Sequence, residues 1–353
     1  MTPTVGPASV RSEGATAPPG AAPGEASVPR RPGPSNRPPL RALLQPAVIA
    51  LVLVSAFISC YVGLQRAPKP HQLPVAVVGS TLAHKMELSL GDSVDVRPAV
   101  SAAAARQAVE QHDVVAALSS GGAGQLNLEV AGANGLSTTG AVKSVVSAYA
   151  AGSGQQVTTT DVVPLAPFDG RGLAGFYVSF GVTLAGFVLA QNALGMANVL
   201  HLRHRFWLIT GVSVATGIVA AIIAGPVLDA VPAPFLPLAA TLALLAAAAA
   251  FTTKLLGTYL GPIGVPVATL LLLTVGNSTS GATISSDLLP AAARAVSALL
   301  PPGAAVRAVS DLSYFDGAHA GVPLLTLALW AVLSAVFVGI KSRVRSTRRT
   351  AHA

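Results

Sequence analysis

Several groups of residues in this chain have types and spacings that chemistry could use. The stretch SSGGAGQ (Ser119–Gln125) is Gly-rich and follows an apolar, strand-like run. Such a loop cradles a phosphate when a helix comes next, because the amides of a helix N-terminus point at the anion. Here the next stretch alternates apolar and polar residues, so the spacing predicts a hairpin turn. His84 and Glu87 stand three apart on a candidate helix, and Glu110, His112 and Asp113 cluster. These are metal-ligand types, but neither set has the HExxH spacing or one like it, so they read as solvated surface charge. Cys60 is the single cysteine, which excludes an internal disulfide framework and a Cys-based zinc site. Phe57-Ile58-Ser59-Cys60 has a faint likeness to a lipoprotein cleavage box but reads as plain apolar helix. The sequence contains no G-x-S-x-G elbow, no evident pair of catalytic carboxylates and no G-x-x-x-x-G-K-[ST] loop. No catalytic, cofactor or metal site is therefore expected, and the chain does not read as an enzyme.

The remaining chemistry-bearing group is HLRHR. His201, Arg203, His204 and Arg205 form a short basic connection between apolar segments. Guanidinium groups there can pair bidentately with carboxylates on a partner, with the histidines as weaker contacts. The plainer role is to hold the connection on the cytoplasmic side.

The elements that position these groups follow from composition. Hydrophobic residues make up 52% of the 353 residues, charged residues only 10%, and the net charge is +8. A soluble domain carries about 25% charged residues, so this is a polytopic membrane protein. The basic excess sits in the tails and one connection and lacks interleaved aromatics. It reads as membrane orientation and not as nucleic-acid binding.

Residues 1–45 are rich in Pro, Gly, Ala and Ser without apolar periodicity, and a disordered cytoplasmic tail is expected. That tail is too long for a targeting n-region, so a cleaved signal is not expected. The first span is predicted at 46–64, and others at about 173–194, 206–228, 235–255, 262–276 and 322–340. Residues 342–353 read as a basic cytoplasmic tail. With these six spans every basic cluster falls on one side of the membrane, which places both termini in the cytoplasm. Lys254 is expected to snorkel from the inner end of the fourth span. The small residues Gly175, Ser179, Gly181, Ala185 and Gly186 suit close helix packing, and Gln191 and Asn192 suit either hydrogen bonds to neighbouring helices or the lining of a path.

Residues 65–170 form the one substantial stretch outside the spans. Strand patterns at Pro74–Gly79, Val114–Leu118, Gln125–Gly132 and Val157–Leu165 alternate with helix patterns at Ser101–His112 and Thr138–Ala151. They predict a small extracytoplasmic α/β domain able to fold alone. Between the last two spans, residues 277–321 form an outer segment. Ser286 or Asp287 is expected to cap a helix carrying Leu288, Leu289, Ala292, Val296, Leu299 and Leu300. Pro301-Pro302-Gly303 stops it, and Val306, Val309 and Leu312 suggest a second helix. The pair reads either as a cap on the membrane surface or as a re-entrant pair.

Three blocks give the chain a family likeness: LEVAGANG (Leu128–Gly135), TDVVPLAPFDGRGLAGFYVSFG (Thr160–Gly181) and GNSTSGATISSDLLPAAARAVSALLPPGAAVRAVSDLSYFDG (Gly276–Gly317). With the layout of one span, an outer domain and five further spans, the chain resembles the YhgE/Pip (phage-infection-protein-like) branch of the ABC type-2 permease superfamily. The resemblance covers roughly 46–340, with an outer domain shorter than in many relatives. It implies a plasma-membrane export component, a homodimer or a heterodimer with a related permease. It also implies a separate ATP-binding subunit docked at the connection of His201, Arg203, His204 and Arg205. The spans themselves carry no Asp or Glu, which lowers the case for an ion-coupled carrier. Two functions are in view. One is an export permease subunit for an apolar or envelope-related molecule. The other is a non-transporting envelope receptor or scaffold whose outer domain binds a partner.

Overall fold

The computed structural model describes residues 40–66, 68–196 and 199–350. Of the disordered tail expected at 1–45, residues 1–39 lie outside the described residues, and 40–45 are already helical, because the first helix begins at Leu40. The first helix, α1 (Leu40–Gln65), is apolar on all sides, and no residue of the window that would cross a membrane is buried by the rest of the chain.

The α/β domain follows. Its elements are β1 (Leu73–Val78), α2 (Ser80–Leu90), β2 (Val94–Ala99), α3 (Ala102–Glu110), β3 (Ala116–Gly122), β4 (Gln125–Val130), α4 (Gly135–Gly152) and β5 (Gln156–Asp161). They form a five-stranded sheet of order β2-β1-β3-β4-β5. Three pairs are parallel and are reached by helical crossovers, while β3 and β4 pair antiparallel across the predicted hairpin. Gly122 (φ 119°) and Gly124 (φ 76°) supply the turn conformation that makes SSGGAGQ a hairpin and not a phosphate loop. The interior strand β1, LPVAVV, is apolar toward both faces, as burial on both sides requires. β2, VDVRPA, lies at one edge, where Pro98 removes no ladder donor that a neighbour needs.

The two faces of the sheet are filled differently. One packs Val75, Val77, Leu118, Leu126 and Leu128 against α2 and α4. Ile284, Leu288 and Leu289 complete that core, although they lie more than 130 residues further along the chain. The other face packs Ala76 and Ala117 against α3, and Phe315 closes it. The core of the domain expected at 65–170 is thus completed by residues of the outer segment.

Beyond the domain come α5 (Ala174–Gly195), α6 (Leu202–Ile222, with a π-helical turn to Val227), α7 (Phe235–Leu260), α8 (Gly264–Ala268, continued as π-helix to Gly276), α9 (Ala291–Leu299), α10 (Pro301–Tyr314) and α11 (Gly321–Thr350). Among the described residues five helical stretches are long and apolar enough to cross a membrane: 44–65, 174–195, 202–227, 235–276 and 321–343. The expected fourth and fifth spans lie together in the 42-residue stretch Phe235–Gly276. The chain reverses inside it. Gly261 takes φ 64°, and a Cβ on Gly264 would strike the carbonyl of Leu256. In a continuous helix those residues would be about 12 Å apart. The last helix runs on through the basic residues expected to form a tail.

α7 is the central helix, touching α5, α6, α10 and α11. Its alanine run makes this possible. Ala246, Ala248, Ala249 and Ala250 are buried, and a Cβ on Gly186 of α5 would come within 2.5 Å of the Ala246 carbonyl. Gly217 of α6 meets the Ala239 carbonyl at the same distance. Small residues thus allow near contact of backbones, where dispersion and not hydrophobicity holds helices together in lipid. The expected small face of α5 divides: Ser179 and Gly186 are buried, whereas Gly181 and Ala185 are exposed. Asn192 bonds to its own helix at Val188 O and not to a neighbour.

The outer segment also departs from expectation. Ser285, not Ser286 or Asp287, caps the short turn Ser286–Leu288, and α9 begins only after Pro290. Pro301 and Pro302 do not simply stop a helix. They occupy the first turn of α10, where the missing amide costs nothing.

Candidate functional site at the seam between domain and bundle

Local turns build a polar pocket where the sheet domain meets α5 and α10. After α4's preceding turn, Gly135 (φ 83°) brings its backbone against Gly172 (φ 67°), whose built Cβ would lie 3.5 Å from Gly135 Cα and 3.2 Å from Leu165. A side chain at either position would be strained in φ. Asp169 then caps the start of α5: its Oδ1 accepts from Leu173 N (2.9 Å) and Ala174 N (3.0 Å). A carboxylate at a helix N-terminus satisfies free amides and complements the dipole.

The cavity has a volume of about 130 Å³, room for about four waters or one small polar group at roughly 30 Å³ per water. Asn134, Thr138, Asp169, Ser280, Asp287 and Arg307 are among its walls. Asn134 Nδ2, Thr138 Oγ1 and Ser280 Oγ are buried and have no hydrogen-bond partner. Buried polar groups are normally paired, so three orphans around one cavity mark a place where a polar ligand would be gained. All three blocks that carry the family likeness contribute to these walls, although Gly135, Asp169 and Ser280 are far apart in sequence.

Charges pin the seam around the pocket. His112 follows α3 in a left-handed conformation (φ 61°), costly for a non-glycine residue. The turn aims its ring at α10. His112 Nδ1 donates to Asp311 Oδ1 at 2.7 Å, and the ring stacks on Phe315 with centroids 3.9 Å apart. With Asp311 ionised, this bond requires the proton on Nδ1. His319 Nε2 meets Asp113 Oδ1 at 3.1 Å nearby. Of the residues expected as solvated charge, His112 instead turns inward to the outer segment, whereas Asp113 stays exposed and meets His319 at the surface. Only Glu110 of that cluster stays local, paired with Arg106. Further bonds join Ala166 N to Tyr314 Oη (3.4 Å), Ser285 N to Ser137 Oγ (3.2 Å) and His71 N to Asp287 O (3.1 Å).

Burial sets the protonation of the pocket walls. It pushes the Asp287 carboxyl above its ordinary value, although Arg294, His112 and the serine hydroxyls pull the other way. It pushes the Arg307 guanidinium down, opposed by Asp311. Arg307 also closes the end of α9 by donating to Ser297 O, Ser297 Oγ and Ala298 O, each at 3.2 Å. Burial, with help from Asp169, raises the Tyr314 phenol, while the amide of Ala166 opposes it.

The basic connection lies at the opposite end of the bundle. His201 is the residue before α6, and Arg203, His204 and Arg205 are already in its first turn, so they do not form a free loop. Arg203 and His204 are exposed, while Arg205 turns inward and its Nη1 reaches Ala193 O at the end of α5 (3.5 Å). The structure thus separates the four: three face outward and Arg205 does not. Near it is Lys254, which sequence reasoning placed at the water boundary. Instead Lys254 is 1% exposed, held inside by the helices around α7, and its Nζ has no hydrogen-bond partner. Arg205 lies within electrostatic reach of it, and Arg205 Nε is buried without a partner. The lysine that does reach the boundary is Lys341, which donates to Thr258 O and sits 4.0 Å over the Tyr259 ring.

Comparison with protein-family models, with curated proteins and with solved structures finds no match to this chain.

Proposed function

We propose that this chain is the permease-like membrane subunit of an export system of ABC type-2 organisation, in the YhgE/Pip branch, with a separate ATPase supplying the energy. In this reading the chain crosses the plasma membrane six times, the hairpin within Phe235–Gly276 counting as two crossings, and both termini are cytoplasmic. The sheet domain lies outside and covers the seam pocket. The chain works as a dimer with itself or a related permease.

The observation that carries the reading is the Lys254 and Arg205 pair. A buried, unpartnered lysine in a lipid-spanning helix is costly and marks a functional position. Beside it, on the surface, stand Arg203 and His204. An acidic surface on a partner would complete this end of the bundle, and a push at the α5–α6 connection would move two helices that both grip α7. A second reading has its own support: the many bonds across the seam suit a receptor or scaffold whose pocket binds an envelope ligand without moving it.

The test is purification of the full chain from its native membrane, followed by measurement of ATP hydrolysis in the preparation. Export predicts vanadate-sensitive hydrolysis that accompanies the wild-type chain. Arg203→Lys with Arg205→Lys keeps the charge, and so the topology, but removes the planar bidentate donors. That variant should insert normally and lose the hydrolysis. If no hydrolysis accompanies the wild-type chain, the receptor reading replaces this one.

A further inference from the structure

A second cavity adjoins the seam pocket. It is an apolar groove of about 490 Å³ between α5 and α6, walled by Tyr177, Val178, Gly181, Val212, Val219 and Leu228 among others. Tyr177, Val219 and Leu228 are more than half exposed, so the groove opens toward lipid. Along α6 it runs from Val212 to Leu228, on the order of 24 Å. One leaflet of hydrocarbon is roughly 15 Å deep.

The two cavities share a wall. Phe176 lines the pocket and Tyr177 the groove. Ala230 N and Val231 N, at the pocket, both bond to Ala224 O, at the groove, at 3.1 Å. Val231 and Val309 from the pocket pack in one cluster with Val182 and Ala224 from the groove. The apolar groove therefore ends against the polar pocket.

We propose that the pocket and the groove together bind one amphiphile, with a hydroxyl-rich, non-anionic head in the pocket and its alkyl chain between α5 and α6. The head chemistry follows from the walls. Thr138, Ser280 and Asn134 offer unpaired hydroxyls and an amide, which match sugar or polyol hydroxyls. Asp169 and Asp287 bring two carboxyl groups, whereas the guanidinium of Arg307 is engaged with Ser297 and Ala298. His112, the other cationic type in the lining, is engaged with Asp311, so the wall offers a phosphate no free cation. The chain chemistry follows from the groove, which carries no charged residue. That the amphiphile is cargo rests on the export reading; that it binds does not.

The full chain in phosphatidylcholine nanodiscs provides the test. The probe is dodecyl glucoside carrying a diazirine in its chain, compared with dodecylphosphocholine carrying the same group. The glucoside should label 177–182 and 212–228, with competition by unlabelled dodecyl glucoside and not by free glucose. Thr138→Val with Ser280→Ala should cut this labelling at least tenfold while leaving phosphocholine labelling unchanged. Val219→Trp, which fills the groove at a lipid-facing position, should cut it as strongly without touching the domain. Equal labelling by both probes, insensitive to the pocket variants, would mean that ordinary lipid fills the groove and would overturn the proposal. Protection of the groove by a second copy, seen as disulfide cross-links between Val219→Cys chains lacking Cys60, would overturn it too. Failure of ATP hydrolysis to accompany the chain would sink export and leave this labelling result intact.

Discussion

The two ends of the bundle treat buried charge in opposite ways. At the end that meets the sheet, all but one of the carboxylates described have a firm partner: Asp311 has His112, Asp113 has His319, and Asp169 caps α5, while Asp287 is the exception. At the far end, Lys254 Nζ and Arg205 Nε are buried with nothing to bond. The seam keeps orphans of its own, Arg294 Nε and the pocket's Asn134, Thr138 and Ser280, but among the described residues it leaves no ammonium unpaired as the far end does. Desolvating a charge without compensation is among the costlier arrangements a protein can hold. The contrast therefore points to a far end whose buried cations are completed by another molecule and a seam whose histidine-paired and capping carboxylates are satisfied within this chain.

The largest effect should come from breaking the seam's apolar part. Leu289 is fully buried in the core of the sheet domain, though it belongs to the outer segment. Leu289→Ala should cost about 2–5 kcal/mol. Thermal unfolding of the sheet domain within the full chain, followed by limited proteolysis at its loops, would measure it. If proteolysis of the domain were unaffected, the domain would fold without the outer segment and the seam would be a mere contact.

The far end should respond with the opposite sign. Lys254→Met removes an unpaired buried ammonium and keeps the stem's volume. It should stabilise the isolated chain by about 1–4 kcal/mol, as replacing buried ionic groups often does, while abolishing ATP hydrolysis by the complex. A lower melting temperature in detergent would show that Lys254 has a partner within this chain and would erase the contrast between the ends.

Within the seam, the two His–Asp contacts should differ. Asp311 is nearly buried and His112 largely so, whereas His319 and Asp113 are half exposed. His112→Ala should cost about 1.5–3 kcal/mol, the range for a hydrogen bond to a charged group. Asp113→Ala should cost about 0.2–1 kcal/mol, the range for exposed pairs. A double-mutant cycle on His112 and Asp311 would isolate the coupling.

How much of this was legible in the sequence follows the range of the forces involved. Periodicity and hydropathy are local, so β1, α3, the hairpin, β4, α4 and the apolar spans were readable. β2 was missed because Arg97 and Pro98 break its strand pattern, and α2 entered only as a candidate helix around His84 and Glu87 because its apolar face is weak. The pocket needed three distant turns to meet, and nothing local says that His112 faces Asp311 across 199 positions. One signal was present: small and polar residues crowd around Asn134, Asp169 and Ser280 in a chain otherwise rich in Ala, Val and Leu. Lys254 was misjudged because it stands less than two turns from the end of α7, where snorkelling is ordinarily open, and only the packing around α7 closes that route.

The smallest effect concerns the one seam carboxyl whose burial outweighs its partners. Asp287 lies beside Ser285, and Arg294 and His112 favour its ionised form, yet desolvation raises its pKa above the ordinary 3.8. The folded protein therefore binds this proton more tightly than the unfolded chain does. By linkage, the resulting stability is fully present below pH 3.8 and is lost as pH rises from there through the folded value. Asp287→Asn keeps the shape and removes the titration. Relative to wild type, the variant should gain stability as pH rises through that window and show no gain at its acid end. Melting temperatures of both chains across the acid range, in one detergent and at constant salt, would reveal the difference. A wild-type chain that gains stability relative to the variant as pH rises would mean that Arg294 and His112 dominate. Asp287 would then join Asp311 as a paired charge, and the seam end would hold no exception.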